Sequence, residues 1–199
     1  SGGDTRTATV LQGDALSLMQ TMPDRSIHAV VTDPPYAIDA TLNDDELQQL
    51  MDAPMLGMQS VNWHEKAAHS RGYADSDPRA FQRWCEMWLD ECLRLLKPGG
   101  HLVAFGGTRA WHRLVTAAEE VGFEIRDSMA WIYSSGVPKG LDVEAALRAA
   151  GDDATADDWR GWNTGLKPGH EPILLARKPL DGTVVDNVTQ HGTGALNLG

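Results

Sequence analysis

The 199-residue sequence is poor in cysteine, with two, and in phenylalanine and tyrosine, with three of each; its 17 lysines and arginines are outnumbered by 28 acidic residues. Two cysteines exclude a disulfide-stapled scaffold and a cysteine-built metal cage. No apolar run approaches the length that spans a bilayer, and the opening Ser-Gly-Gly-Asp-Thr-Arg carries no apolar signal segment, which points to a cytoplasmic protein. A formal net charge of -11 argues against a general nucleic-acid binder, because lysine and arginine contacts to phosphate supply most non-specific affinity. The deficit is uneven. The first hundred residues hold 15 acids against 8 bases and the remainder 13 against 9, with Arg109, Arg113, Lys139, Arg160, Lys167, Arg177 and Lys178 in the second part. Contact with a nucleic acid is therefore expected from the second half or from a partner.

What is present suits one α/β domain over residues 1–199, with 42% hydrophobic residues and strand and helix patterns in alternation. Strands are predicted over residues 7–11, 27–32, 101–105, 124–133 and 172–176, and helices over 15–22, 109–121 and 143–150. The strongest helical signal runs from Asp77-Pro78 through Phe81, Cys85, Leu89, Cys92 and Leu96, with Asp77 as N-cap and Pro98-Gly99-Gly100 as the stop. Cys85 and Cys92 share one face of it as buried thiols. Short Gly or Pro turns between the elements imply mostly parallel strands, and the apolar run Ile27 to Thr32 reads as a strand buried on both faces. Residues 37–78 carry no clean period and read as an inserted mobile region, a polar loop or short helices. His28, His64, His69 and His112 have no ligand-like spacing, so no metal is expected.

The segment with chemical content is Asp33-Pro34-Pro35-Tyr36, directly after a buried strand, where open α/β sheets place their ligands. Asp33 offers a side-chain acceptor, and the Pro34 carbonyl, held out of helix and sheet by the flanking Pro35, offers a second. Two such acceptors orient the lone pair of a planar amine. Tyr36 offers a flat face on which an unstacked base can rest. Asp14, in Gly13-Asp14-Ala15, is either the cap of the following helix or a cofactor contact. Gly106-Gly107 is either a tight turn or a place for close ligand approach. Lys167 and Glu171 are either a solvated pair or neighbours of the base.

These stretches resemble the DNA amino-methyltransferases that act on N6 of adenine or N4 of cytosine, in the permuted, phage and prophage class whose catalytic motif precedes the cofactor loop. The resemblance runs through Gly13-Asp14-Ala15, Pro23-Asp24-Arg25-Ser26 and Asp33-Pro34-Pro35-Tyr36, then Leu95 to Thr108, Trp131-Ile132-Tyr133 with Gly136-Val137-Pro138-Lys139, and Leu166 to Ile173. It implies a Rossmann-like class I methyltransferase sheet, S-adenosyl-L-methionine as cofactor and DNA as substrate. It makes Asp33, Pro34, Pro35 and Tyr36 catalytic, assigns Asp14, Asp33, Phe105, Gly106 and Gly107 to the cofactor, and brings Tyr36, Lys139, Lys167 and Glu171 to the base or DNA. Asp ahead of Pro-Pro-Tyr goes with adenine N6 in that family. Neither cysteine stands in a loop after a strand, which disfavours C5 chemistry.

The sequence departs from the family in one respect. A glycine-rich loop of the Asp-Pro-Phe-x-Gly-x-Gly type is expected beyond His191-Gly192-Thr193-Gly194, and residues 1–199 contain none. The sheet is therefore expected to be incomplete, with a complementary C-terminal half or a second subunit supplying the loop. Two other functions fit the same residues: a non-catalytic nucleic-acid or protein interaction module, and methylation of RNA or of a protein glutamine amide.

Overall fold

A computed structural model describes residues 8–36, 78–136 and 140–199. The inserted region at 37–78, the Asp77 cap and Lys139 fall almost wholly outside these residues, Pro78 alone being described, as the first residue of a helix. In chain order the elements are α1 (Ala15–Gln20), β1 (Ile27–Thr32), α2 (Pro78–Leu95), β2 (Leu96–Phe105), α3 (Trp111–Glu120), β3 (Glu124–Ile132), α4 (Val143–Ala149), α5 (Asp153–Asp158), β4 (His170–Arg177) and α6 (Val184–His191).

The four strands form one sheet in the order β1-β2-β4-β3. Only β1 and β2 pair in parallel; β4 runs antiparallel to both β2 and β3. The sheet is mixed, which corrects the expectation of mostly parallel pairing. Three strands do point the same way, but the reversed β4 sits between two of them and converts their contacts to antiparallel ones. The predicted strand at 7–11 is absent over its described residues, and Val10 and Leu11 lie 92% and 54% exposed. A strand persists only beside a ladder partner, and none of the described residues runs alongside it. For the same reason β1 is not buried on both faces. It is one of the two edge strands among the described residues, β3 being the other, and Val31 is 73% exposed.

The core lies between one face of the sheet and helices α2 and α3. Phe81, Cys85, Leu89, Cys92 and Leu95 recur at spacings of three and four along α2, so they form a single stripe. That stripe packs with Leu114, Ala117 and Ala118 of α3 against Leu102, Ala104, Leu174 and Ala176 of the sheet. Each large aliphatic side chain so buried contributes about 1.5–3 kcal/mol. Burial also silences the thiols. Desolvation pushes Cys92 up to about 12 and Cys85 well above an ordinary thiol. Since the thiolate is the nucleophile, both cysteines are expected to resist alkylation in the native protein at pH 8 and to react together on unfolding in denaturant. Rapid native labelling of either would show that the α2 stripe is open.

Helix α2 passes into β2 without a linker, so β2 starts five residues earlier than its apolar run suggests. The junction is held by Lys178, whose Nζ donates to the carbonyls of Leu93 at 2.6 Å and Leu96 at 2.8 Å. These are carbonyls near the helix end that have no helical donor, and a cation there also suits the helix dipole. Arg94, near the same end, donates to the carbonyls of Met19 and Met22 and pairs with Glu91 and Asp24. That cluster ties down α1, which has no buried residue of its own.

Helix α6, for which the sequence analysis makes no prediction, opens with a capping box in which Thr183 and Asp186 each accept from the other's main chain. It carries the fully buried Asn187, whose Nδ2 donates to the carbonyls of Pro98 at 2.9 Å and Thr193 at 2.8 Å. Asn187 Oδ1 in turn accepts from the Asp181 main chain. Gly99, at φ +72°, makes room for this side chain.

Candidate active site

Because β1 and β2 are parallel neighbours in register from Ala29↔His101 to Thr32↔Ala104, their carboxyl ends finish side by side. Asp33-Pro34-Pro35-Tyr36 leaves one end and Gly106-Gly107 the other. Neither proline can extend the ladder, so the chain turns out at once. Asp33 is exposed, Pro34 buried and Tyr36 half-buried. The acceptor thus faces solvent at the rim while the aromatic ring is set into the fold.

What Tyr36 rests on is specific. A Cβ built on Gly107 would stand 3.0 Å from Tyr36 Cβ and 3.3 Å from Cγ, so this glycine lets the main chain lie against the ring. At Gly106 the corresponding space is taken by Trp111 and Leu114. Gly106 donates to the Pro172 carbonyl at 2.9 Å, and Gly107 accepts from Trp111 at 2.8 Å. The two glycines therefore serve close packing and the start of α3, and the room left by their missing side chains is filled by protein. Of the expected cofactor contacts, Asp33, Phe105, Gly106 and Gly107 stand together at the strand ends, where a ligand of this fold would lie. Asp14 caps α1, accepting from Ser17 N at 2.9 Å and Ser17 Oγ at 2.8 Å, which supports the capping alternative.

The reversed β4 brings a carboxylate to the same end of the sheet. Glu171 Oε2 lies 3.5 Å from the Tyr36 hydroxyl, and Glu171 Oε1 lies 3.5 Å from the Tyr133 hydroxyl, both at the long limit of a hydrogen bond. Burial, then Asp33 and Glu171, hold the Tyr36 phenol well above the ordinary tyrosine range. Tyr133 is raised as well, by desolvation and by Glu171. Glu171 is thus committed to two phenols and is no partner of Lys167, which is exposed. Tyr133, quoted above only within a longer matching stretch, is the site residue that sequence reasoning missed. Its one signal was the step beyond the Ile132↔His170 pair, which is legible only once the strand register is known.

Between β3 and β4 the described residues leave this end of the sheet and return to it as a stem cross-linked by main-chain bonds, with an isolated antiparallel bridge between Asp142 and Asn163. Tyr133 N donates to the Gly169 carbonyl at 2.9 Å, Thr164 N to the Leu141 carbonyl at 3.0 Å and Val143 N to the Trp162 carbonyl at 3.1 Å. Helices α4 and α5 close it, bound by Arg148 to Glu144, Asp153 and Asp157. Among the described residues no group of acids, histidines and cysteines could hold a metal ion, and no helix is long and apolar enough to cross a membrane.

Comparison with known proteins agrees with this geometry. The N6/N4 methyltransferase family model, described as DNA methylase, matches residues 27–195. The Type II methyltransferase M.HindIII of Haemophilus influenzae is 30% identical over 200 residues, covering 94% of this chain and 64% of that protein. M.HinfI, from Haemophilus influenzae, is 26% identical over 135 residues, covering 65% of this chain and 33% of that protein. The chain therefore spans less than two thirds of the length of these relatives. Among solved structures, the PvuII DNA methyltransferase, described as cytosine-N4-specific, superposes with a TM-score of 0.50 at 16% identity, covering 92% of this chain and 54% of that one. The Thermus thermophilus protein TTHA0409, solved in complex with S-adenosyl-L-methionine, gives 0.46 at 19% identity, covering 89% and 56%. With the family model matched from the first residue of β1 to beyond α6, and the Asp-Pro-Pro-Tyr segment inside it at the strand ends, the chain belongs to the DNA methylase family.

Proposed function

We propose that the protein transfers a methyl group from S-adenosyl-L-methionine to the exocyclic N6 amine of adenine in DNA. The observation that carries this reading is the exposed Asp33 carboxylate at the end of β1, beside the half-buried Tyr36 ring. The cofactor supplies a methyl activated on a sulfonium. Asp33 and the Pro34 carbonyl would accept the two amine N–H groups and so aim the nitrogen lone pair; as the nitrogen gained the methyl, the methyl–sulfur bond of the cofactor would break to leave a neutral thioether, and one amine proton would pass to the Asp33 carboxylate or to water, with no covalent intermediate on the protein. Tyr36 holds the base once it has left its stack. In this reading Asp33 and Phe105, with the Gly106-Gly107 main chain, contact the cofactor. A complementary segment or second subunit brings the Asp-Pro-Phe-x-Gly-x-Gly loop in this reading. Lys139 and Lys167 are assigned to the DNA in this reading, offsetting an otherwise acidic chain.

The test is a labelled-methyl assay, with the loop-bearing complementary segment supplied, offering DNA, RNA and protein, followed by nucleoside analysis of the DNA. Label in N6-methyladenine is expected. Label in N4-methylcytosine would move the target to the other amine, label only in RNA or protein would overturn DNA as substrate, and no label at all would favour the interaction module. In the same assay, with base stacking worth about 1–3 kcal/mol, Tyr36→Ala is expected to lower kcat/KM roughly tenfold or more. Unchanged affinity for the target DNA would remove the stacking role.

A further inference from the structure

Among the described residues, the carboxylate of Glu171 is the one acidic group that reaches the Tyr36 phenol from a different strand, and it reaches Tyr133 at the same time. Tyr36 is held at its ring, which lies against the Gly107 main chain, and at its hydroxyl, which faces Asp33 from its own segment and Glu171 from β4. A flat side chain that only had to fill space would need neither. Glu171 itself is half-buried on β4, opposite Trp131 of β3, so its place is set by the sheet and not by a mobile loop. Each of its oxygens meets a different phenol.

We propose that Glu171 is a positioning residue, shared with Tyr133, that sets the angle of the Tyr36 ring through the phenol hydroxyl. This rests on the reading of Asp33 to Tyr36 as a base-holding site. Contacts of 3.5 Å in the ligand-free protein are expected to shorten when a base presses on the ring, since catalytic hydrogen bonds are commonly long before substrate binds. Tyr133 acts as the second tether. By occupying one oxygen of Glu171 it keeps the carboxylate from rotating away from Tyr36.

Two measurements on the full chain test this. The first is a double-mutant cycle on kcat/KM for methyl transfer. If Glu171 works through the Tyr36 hydroxyl, Glu171→Ala is expected to cost about tenfold in the wild-type background and less than twofold once Tyr36→Phe has removed that hydroxyl. Equal losses in both backgrounds would mean that Glu171 acts on the substrate independently, and would overturn the proposal. The second measurement needs no activity. The chain has three tyrosines, Tyr36, Tyr73 and Tyr133, so fluorotyrosine labelling gives three ¹⁹F resonances that Tyr→Phe variants assign. Glu171→Gln, which keeps the side-chain size and removes the charge, is expected to shift both Tyr36 and Tyr133. Asp33→Asn is expected to shift Tyr36, which Asp33 faces, while leaving Tyr133 in place. An unmoved Tyr36 signal in folded Glu171→Gln would sink the proposal even if the protein methylated DNA. Conversely, a protein that transfers no methyl but shows both shifts would keep the clamp and lose the proposed reaction.

Discussion

Replacing Asp33 with alanine is expected to lower methyl transfer by at least about a hundredfold while leaving the unfolding transition where it was. The carboxylate is exposed at a strand end, so its removal opens no cavity and orphans no buried donor. In the proposed reaction it is also the acceptor on which the orientation of the amine depends. Loss of one preorganised group aimed at developing charge typically costs about 10²–10³ in rate. Asp33→Asn, which keeps the shape and one acceptor oxygen but introduces a donor that opposes the amine, is expected to do little better. Single-turnover methylation with saturating cofactor, beside a thermal melt of each variant, makes the check. Wild-type turnover in folded Asp33→Ala would take the catalytic role away from this residue.

Gly99→Ala is expected to be strongly destabilising although it lies away from the site. At φ +72° an L side chain is strained by about 1–2 kcal/mol. A Cβ there would also fall onto Nδ2 of the fully buried Asn187 and stand 2.9 Å from Gly194 Cα, so overpacking adds about 1–3 kcal/mol. Together they make a loss of about 3 kcal/mol, or a fall in Tm of roughly 6–12 °C for a chain of this size. Gly151→Ala is the control. Gly151 has a similar φ of +82° but nothing within 4 Å of its would-be Cβ, so only the backbone strain applies. If the two variants melt together, the contact between Asn187 and Pro98 does not hold the C-terminal helix in place.

The sequence foretold the elements whose signal is local. Phe81, Cys85, Leu89 and Cys92 recur as a helix stripe must, and β3 and β4 stand within a few residues of their apolar runs. The site motif was legible because two prolines after an apolar strand can only end it. What failed depended on neighbours. Thr7 to Leu11 has the composition of a strand, but composition supplies no ladder partner. The five-residue extension of β2 through Pro98 and Gly99 hangs on Lys178, distant in sequence, capping the helix before it. Helix α6 was within reach, since Thr183 and Asp186 have the spacing of a capping box. The bond of Tyr133 and Tyr36 to Glu171 was not, because it requires β4 to run backward between β2 and β3, and no residue type announces that reversal.

That reversal has an architectural consequence for how such a protein can change. A strand that runs forward and its successor that runs backward leave and return at one end of the sheet, and here that end carries Asp33 and Tyr36. The connection between them is zipped at its foot by Tyr133 and Gly169, so whatever is inserted farther out is anchored independently of its length. Lengthening a loop costs free energy only logarithmically. The stem between Gly140 and Gly165 is thus a place where the chain can grow, shrink or exchange its tip at the end of the sheet that carries Asp33 and Tyr36, while the register of β3 on β4, and with it Glu171, stays fixed: a site for diversification beside a site that must not move.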